Sequence, residues 1–147
     1  MKRLSMIVLL TGIIFVPVAV VMAHCEVPCG IYGDQRRFEE MLEDGATITK
    51  AIDSIRELST KSDANSRNQL ARWVATKESH ATNTQHIIAQ YFMAQRIKSD
   101  GEGYEGKLIS AHKVLVAAMK CKQSAEPATA VALEGAIKAF HQVYEGK

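Results

Sequence analysis

Residues 34–58 read DQRRFEEMLEDGATITKAIDSIREL. Within them Phe38, Met41, Leu42, Ile48, Ile52, Ile55 and Leu58 recur mostly three or four positions apart, the spacing that puts side chains on one face of an α-helix. Asp34 stands at the head of this run as an N-cap candidate. A polar stretch, 59–68, separates it from a second long segment carrying Leu70, Trp73, Val74, Ile87, Ile88, Tyr91, Phe92 and Ile97. Polar residues interrupt that segment over 79–85, where the sequence predicts helix exposed on several sides. Ser99-Asp100-Gly101-Glu102-Gly103 is a turn signal. A third helix follows with Leu108, Ile109, Val114, Leu115, Ala118 and Met119. Ser124 and Pro127 then introduce a fourth with Val131, Leu133, Ile137, Phe140, Val143 and Tyr144. Met41, Met93 and Met119 fall on apolar stripes and are expected in the core. No stretch alternates at period two long enough to propose a sheet. Four apolar-faced helices with short connections bury one another as an antiparallel bundle, so the fold expected is all-α with one domain.

The 147 residues are 47% apolar and 23% charged, the balance of a modest globular chain. Charge is unevenly placed. No Asp or Glu precedes Glu26, and once residues 1–23 are set aside, 16 Lys plus Arg face 16 Asp plus Glu. A neutral body without a block of Lys and Arg argues against a nucleic-acid grip. Four Phe, four Tyr and one Trp, spread along the chain, form no base-stacking platform.

Residues 1–23 have the layout of a signal-like leader. Lys2 and Arg3 give a positive start, and 4–21 are apolar apart from Ser5, Thr11, Gly12 and Pro17. Val21 and Ala23 then precede His24 at the positions a signal peptidase reads. A retained anchor is the alternative, since 18 residues of low polarity can span a bilayer core. Pro17 and the cleavage site favour removal. The expectation is a processing peptidase as partner, a mature chain of residues 24–147 starting at His24, no stable membrane anchor after cleavage, and an exported product, periplasmic or extracellular.

Directly after this cut stand His24-Cys25-Glu26-Val27-Pro28-Cys29-Gly30-Ile31-Tyr32. Cleavage frees an α-amine on His24, so six residues offer an amine, an imidazole, a backbone amide and two thiols. Nitrogen and sulfur donors in a planar set suit nickel(II) or copper(II) better than tetrahedral zinc. No second Cys/His pair completes a zinc site. Pro28 and Gly30 help the segment curl back on itself. Cys25 and Cys29 as a disulfide is the competing reading in an oxidising compartment.

The pattern H-C-x-x-P-C-G-x-Y at a processed N-terminus resembles the metal-binding hook of nickel superoxide dismutases. That resemblance implies an N-terminal hook, 24–32, on a four-helix bundle assembled as a homohexamer, with one nickel per subunit cycling between Ni2+ and Ni3+ and superoxide as substrate. His24 would give its amine and imidazole, Cys25 its backbone nitrogen and thiolate, and Cys29 its thiolate. Tyr32 would line the entrance without binding metal, Pro28 would be cis, and Tyr91 resembles a second tyrosine of that pocket. The chain departs from the pattern at Glu26, where an aspartate is common. It also needs a small gap to bring Glu39 onto the glutamate that steadies the axial imidazole. The arginine behind that glutamate has no clear counterpart, Lys77 being the nearest candidate, and a lysine does not reproduce a guanidinium fork.

The other candidates have plain readings. His80, His86, His112 and His141 are expected as helix-surface or core residues, and Cys121 as a lone buried thiol. Gly101, Gly103 and Gly106 follow no strand and read as a loop, not a phosphate cradle. Two function classes result: an exported nickel superoxide dismutase that disproportionates superoxide to oxygen and hydrogen peroxide, or a non-catalytic exported bundle that carries or senses nickel or copper through its Cys-His N-terminus.

Overall fold

The computed structural model describes residues 33–146. The leader and the hook residues His24, Cys25, Cys29 and Tyr32 lie outside them. Four helices follow one another: α1 (Asp34–Leu58), α2 (Ala64–His86), which runs on without a break as a π-helix (Ile87–Arg96), α3 (Tyr104–Gln123) and α4 (Pro127–Glu145). There is no strand among the described residues.

Each helix packs on its two neighbours in a ring, α1 on α2 and α4, and α3 on α2 and α4. Every neighbouring pair is antiparallel, as the contacts show. Asp34 meets Arg96 while Asp44 meets His80 across α1 and α2. Lys77 reaches Cys121 while Gln85 reaches Leu115 across α2 and α3. Lys107 lies near Tyr144 while Cys121 reaches Thr129 across α3 and α4. Phe38 packs on Phe140 while Arg56 meets Glu126 across α1 and α4. The bundle expected from the sequence is therefore the one observed.

The ends of the helices follow their local chemistry. Asp63, inside the polar linker, is the N-cap of α2 and accepts from the Ser66 amide at 3.0 Å. Gly103 caps α3 from the left-handed region at φ 69°, which a side chain would resist. Pro127 opens α4, where its missing N–H costs nothing. At α1 the expected cap shifts by one. Gly33 occupies the cap position without a side-chain bond, and Asp34 is the first helical residue with its carboxylate turned to other partners.

The core is filled along the predicted stripes by Phe38, Met41, Ile48, Ile52, Ile88, Phe92, Val114, Leu133, Ile137 and Phe140. Two expectations are corrected. Met119 is 43% exposed and Val131 69% exposed, because at about 100° per residue each falls on the side of its helix away from the buried residues. The polar residues of 79–85 are not simply exposed: Thr84 is fully buried and, with His80 and Asn83, donates to the buried Asp44. A hydrogen-bonded polar cluster interrupts the apolar period there without interrupting the helix.

Candidate functional site

The motif 24–32 lies outside the described residues, and the first described residues to follow it in sequence are Gly33 and Asp34. The Asp34 carboxylate accepts from the Tyr91 hydroxyl at 2.6 Å on one oxygen and from the Tyr144 hydroxyl at 2.6 Å on the other. Arg96 approaches the same two oxygens with Nε and Nη2, each at 2.9 Å, as a two-point fork. Three helical elements, the π-helix, α4 and α1, thus converge on one carboxylate.

The π-helical turn is what lets Tyr91 and Arg96 act together. In an α-helix of 3.6 residues per turn, residues five apart point roughly 140° away from each other. A π-helix bonds each N–H to the carbonyl five residues back, which stacks such pairs on one face; Ile97 N–H donating to Phe92 O at 2.8 Å closes this segment. Its buried residues accordingly come in adjacent pairs four apart, Ile87 with Ile88 and Tyr91 with Phe92.

Beneath the carboxylate lies an aromatic cluster. Phe38, Phe92, Phe140 and Tyr144 meet with ring centroids 4.8 to 5.7 Å apart, and His141 stacks on Phe38 at 4.0 Å. Positive charge surrounds the two tyrosines: the Arg37 and Arg96 guanidiniums lie 5.2 and 5.9 Å from the Tyr91 ring centre, and the Lys107 ammonium 5.5 Å from that of Tyr144. A surface cavity of about 400 Å³ between Gly103, Lys107, Val143 and Tyr144 adjoins this end of the bundle.

These surroundings shift the ionisable groups. Burial, then the hydrogen bond and charge of Asp34, push Tyr91 up to about 12, and Tyr144 rises to about 12 for the same reasons. Both phenols stay protonated in neutral solution. For Asp34 burial acts upward, but the bonds from Arg96, Tyr144 and Tyr91 outweigh it and hold the carboxyl below its ordinary value. Hydrogen bonding to Asp34 raises Arg96, which stays charged.

Of the predicted site residues, Tyr91 is described, and it is 3% exposed with its hydroxyl committed to Asp34. Glu39 is exposed and accepts from Gln35 at 3.0 Å. Lys77 reaches toward the opposite end of the bundle, where it bonds carbonyls at the end of α3, so it does not stand behind Glu39. Asp34, Arg96 and Tyr144 were not legible as a group, because Asp34 reads as a cap, Tyr144 as core and Arg96 as an α-helical residue facing away from Tyr91. Among the described residues no group of three or more His, Cys, Asp or Glu is placed to hold a metal ion.

The family model described as nickel-containing superoxide dismutase matches residues 19–147, a span that takes in the hook segment and all four helices. The chain belongs to the nickel-containing superoxide dismutase family. Comparison with the curated proteins and with the solved structures gives no match. As a nickel superoxide dismutase the protein is an oxidoreductase that disproportionates superoxide, with nickel as its cofactor. Its all-α bundle is the architecture the hook motif implied.

Proposed function

We propose that the nickel of this superoxide dismutase is held by the processed N-terminus: the His24 amine and imidazole, the Cys25 amide nitrogen and thiolate, and the Cys29 thiolate. The donor chemistry fits the metal. Anionic thiolates and a deprotonated amide stabilise the higher oxidation state, and imidazole suits nickel well. When bound, nickel supplies the one-electron couple that oxidises one superoxide to oxygen and reduces another to peroxide. The protein's own residues do the rest. Tyr32 lines the approach and orients water and small anions there, while Tyr91 lies behind it, its proton committed to the bond to Asp34, and does not act as an acid. The observation that carries this reading is sequence adjacency: only Gly33 separates the motif 24–32 from Asp34, the carboxylate to which Tyr91 is bonded.

The same reading has residues 1–23 removed by a processing peptidase, the mature chain exported to a periplasmic or extracellular location, and six copies assembled as a homohexamer. Among the described residues no helix is long and apolar enough to cross a membrane.

Native mass spectrometry of protein from nickel-supplied cells tests it. A chain beginning at His24 with one nickel per subunit in a hexamer is expected. A metal-free chain two hydrogens light through a Cys25–Cys29 bridge would overturn it. Adding one residue ahead of His24 is expected nearly to abolish turnover, since it removes the amine from the ligand set; full turnover would contradict that set.

A further inference from the structure

We infer that Asp34 is a positioning residue for the nickel hook, tying the point where the hook joins the bundle to Arg96, Tyr91 and Tyr144 at once. The inference rests on the hook assignment above. It starts from position in the chain: Asp34 follows Cys29 by five residues and Tyr32 by two. A ligand set carried on so short a lead starts from wherever its first helical residue is held.

The hold on that residue is specific. Arg96 donates from Nη2 to one carboxylate oxygen at 2.9 Å and brings Nε to 2.9 Å from the other as an ion pair, and the two tyrosine hydroxyls donate to the same oxygens from different helices. A helix start needs nothing of the kind, since Gly33 caps α1 without any side-chain bond. Nor does the core need it: the aromatic rings beneath Asp34 pack on one another. The π-helical turn also contributes, since it sets Tyr91 and Arg96, five residues apart, on the side that faces this carboxylate. Holding the residue from which a metal-binding segment starts lowers the entropy cost of binding through that segment, so the contact appears in affinity. Metal binding is coupled to ordering of the segment that binds, and partners outside the ligand set commonly alter affinity 10- to 100-fold.

The test is nickel affinity of the processed, metal-free protein, read by competition with a chelator, alongside its melting temperature. Asp34→Asn and Arg96→Met are expected to weaken nickel binding about 10-fold, and Tyr144→Phe by a smaller factor of roughly 3. Asp44→Asn supplies the contrast, because it disturbs a carboxylate on the same helix ten residues beyond Asp34 and with different partners; it is expected to lower the melting temperature and leave affinity alone. Should Asp34→Asn fail to fold, Tyr144→Phe and Arg96→Met carry the test. Parental affinity in these variants, with the unsubstituted protein binding one nickel, would overturn the positioning role alone. An unsubstituted protein that retains no nickel at its N-terminus would overturn the hook assignment and this inference together.

Discussion

Lys77, on α2, places its ammonium 2.5 Å from the carbonyl oxygen of Cys121 and 2.7 Å from that of Lys122, both in the last turn of α3. A third carbonyl, Ser124, lies at 3.3 Å. A helix leaves its last four carbonyls without intrahelical donors, and its C-terminal end attracts a cation. Lys77 thus caps α3 from a neighbouring helix, and with 4% of its surface exposed it does so away from water. Replacing it by Met keeps the apolar stem and removes the donors. The expected cost is about 2 kcal/mol, a fall in melting temperature of roughly 5–10 °C, with nickel content of the processed protein unchanged. Thermal unfolding followed by circular dichroism, with metal analysis, checks both halves. A loss of nickel without a fall in stability would return Lys77 to the hook.

The Asp44 cluster makes a second, independent claim on stability. Asp44 is 4% exposed and accepts from His80 Nδ1 at 2.7 Å, Asn83 at 2.9 Å and Thr84 at 3.1 Å. Asp44→Ala strands the fully buried Thr84 hydroxyl and is expected to cost roughly 3 kcal/mol in chemical denaturation. His80→Ala is expected to cost less than 1 kcal/mol, because the ring is 37% exposed and its bond competes with water. Equal losses in the two variants would mean that the histidine and not the buried hydroxyl sets the requirement for Asp44.

How far the sequence disclosed this arrangement depends on the period of the side chains involved. Phe38, Ile48, Ile52, Leu133 and Ile137 lie where an α-helical period puts them, and a period of 3.6 is all a bundle requires. The hook motif is local in sequence and was readable for that reason. Tyr91, Arg96, Asp34 and Tyr144 are not local, and two of them are paired through a π-helical turn that no α-helical wheel reproduces. Lys77 and Asp44 carry no signal at all, since a buried lysine or aspartate is recognised only once its partners are in place.

Cysteine chemistry separates the hook from the bundle. Cys121 is fully buried, its thiol points to the Thr129 carbonyl at 3.3 Å, and burial pushes its pKa up, so little thiolate forms there. Alkylation of the processed, metal-free and reduced protein under native conditions is therefore expected to modify Cys25 and Cys29 and spare Cys121. All three react once the chain is unfolded. Mass spectrometry of the alkylated peptides reads the result, and native labelling of Cys121 would show that the α3–α4 end opens readily.

The two hydroxyls on Asp34 give a pH signature with a definite sign. Tyr91 and Tyr144 are raised to about 12 in the folded protein, so between about 10, where a free phenol titrates, and 12 the folded state holds protons that the unfolded state has lost. Their contribution to stability is whole below pH 10 and is lost as pH rises toward 12. The carboxyl on the same site acts at the other end. Asp34 is held below its ordinary value, so its contribution is present above about pH 4 and is lost as the solution is acidified through its folded value. Near-ultraviolet titration of phenolate absorbance is expected to show Tyr91 and Tyr144 ionising late, one late step disappearing in Tyr91→Phe and the other in Tyr144→Phe. Asp34→Asn is expected to bring both downward, since an anion that opposes phenolate formation is gone, while burial keeps them above an exposed phenol. Unshifted curves in Asp34→Asn would mean that burial alone holds these protons and that the carboxylate has no grip on Tyr91.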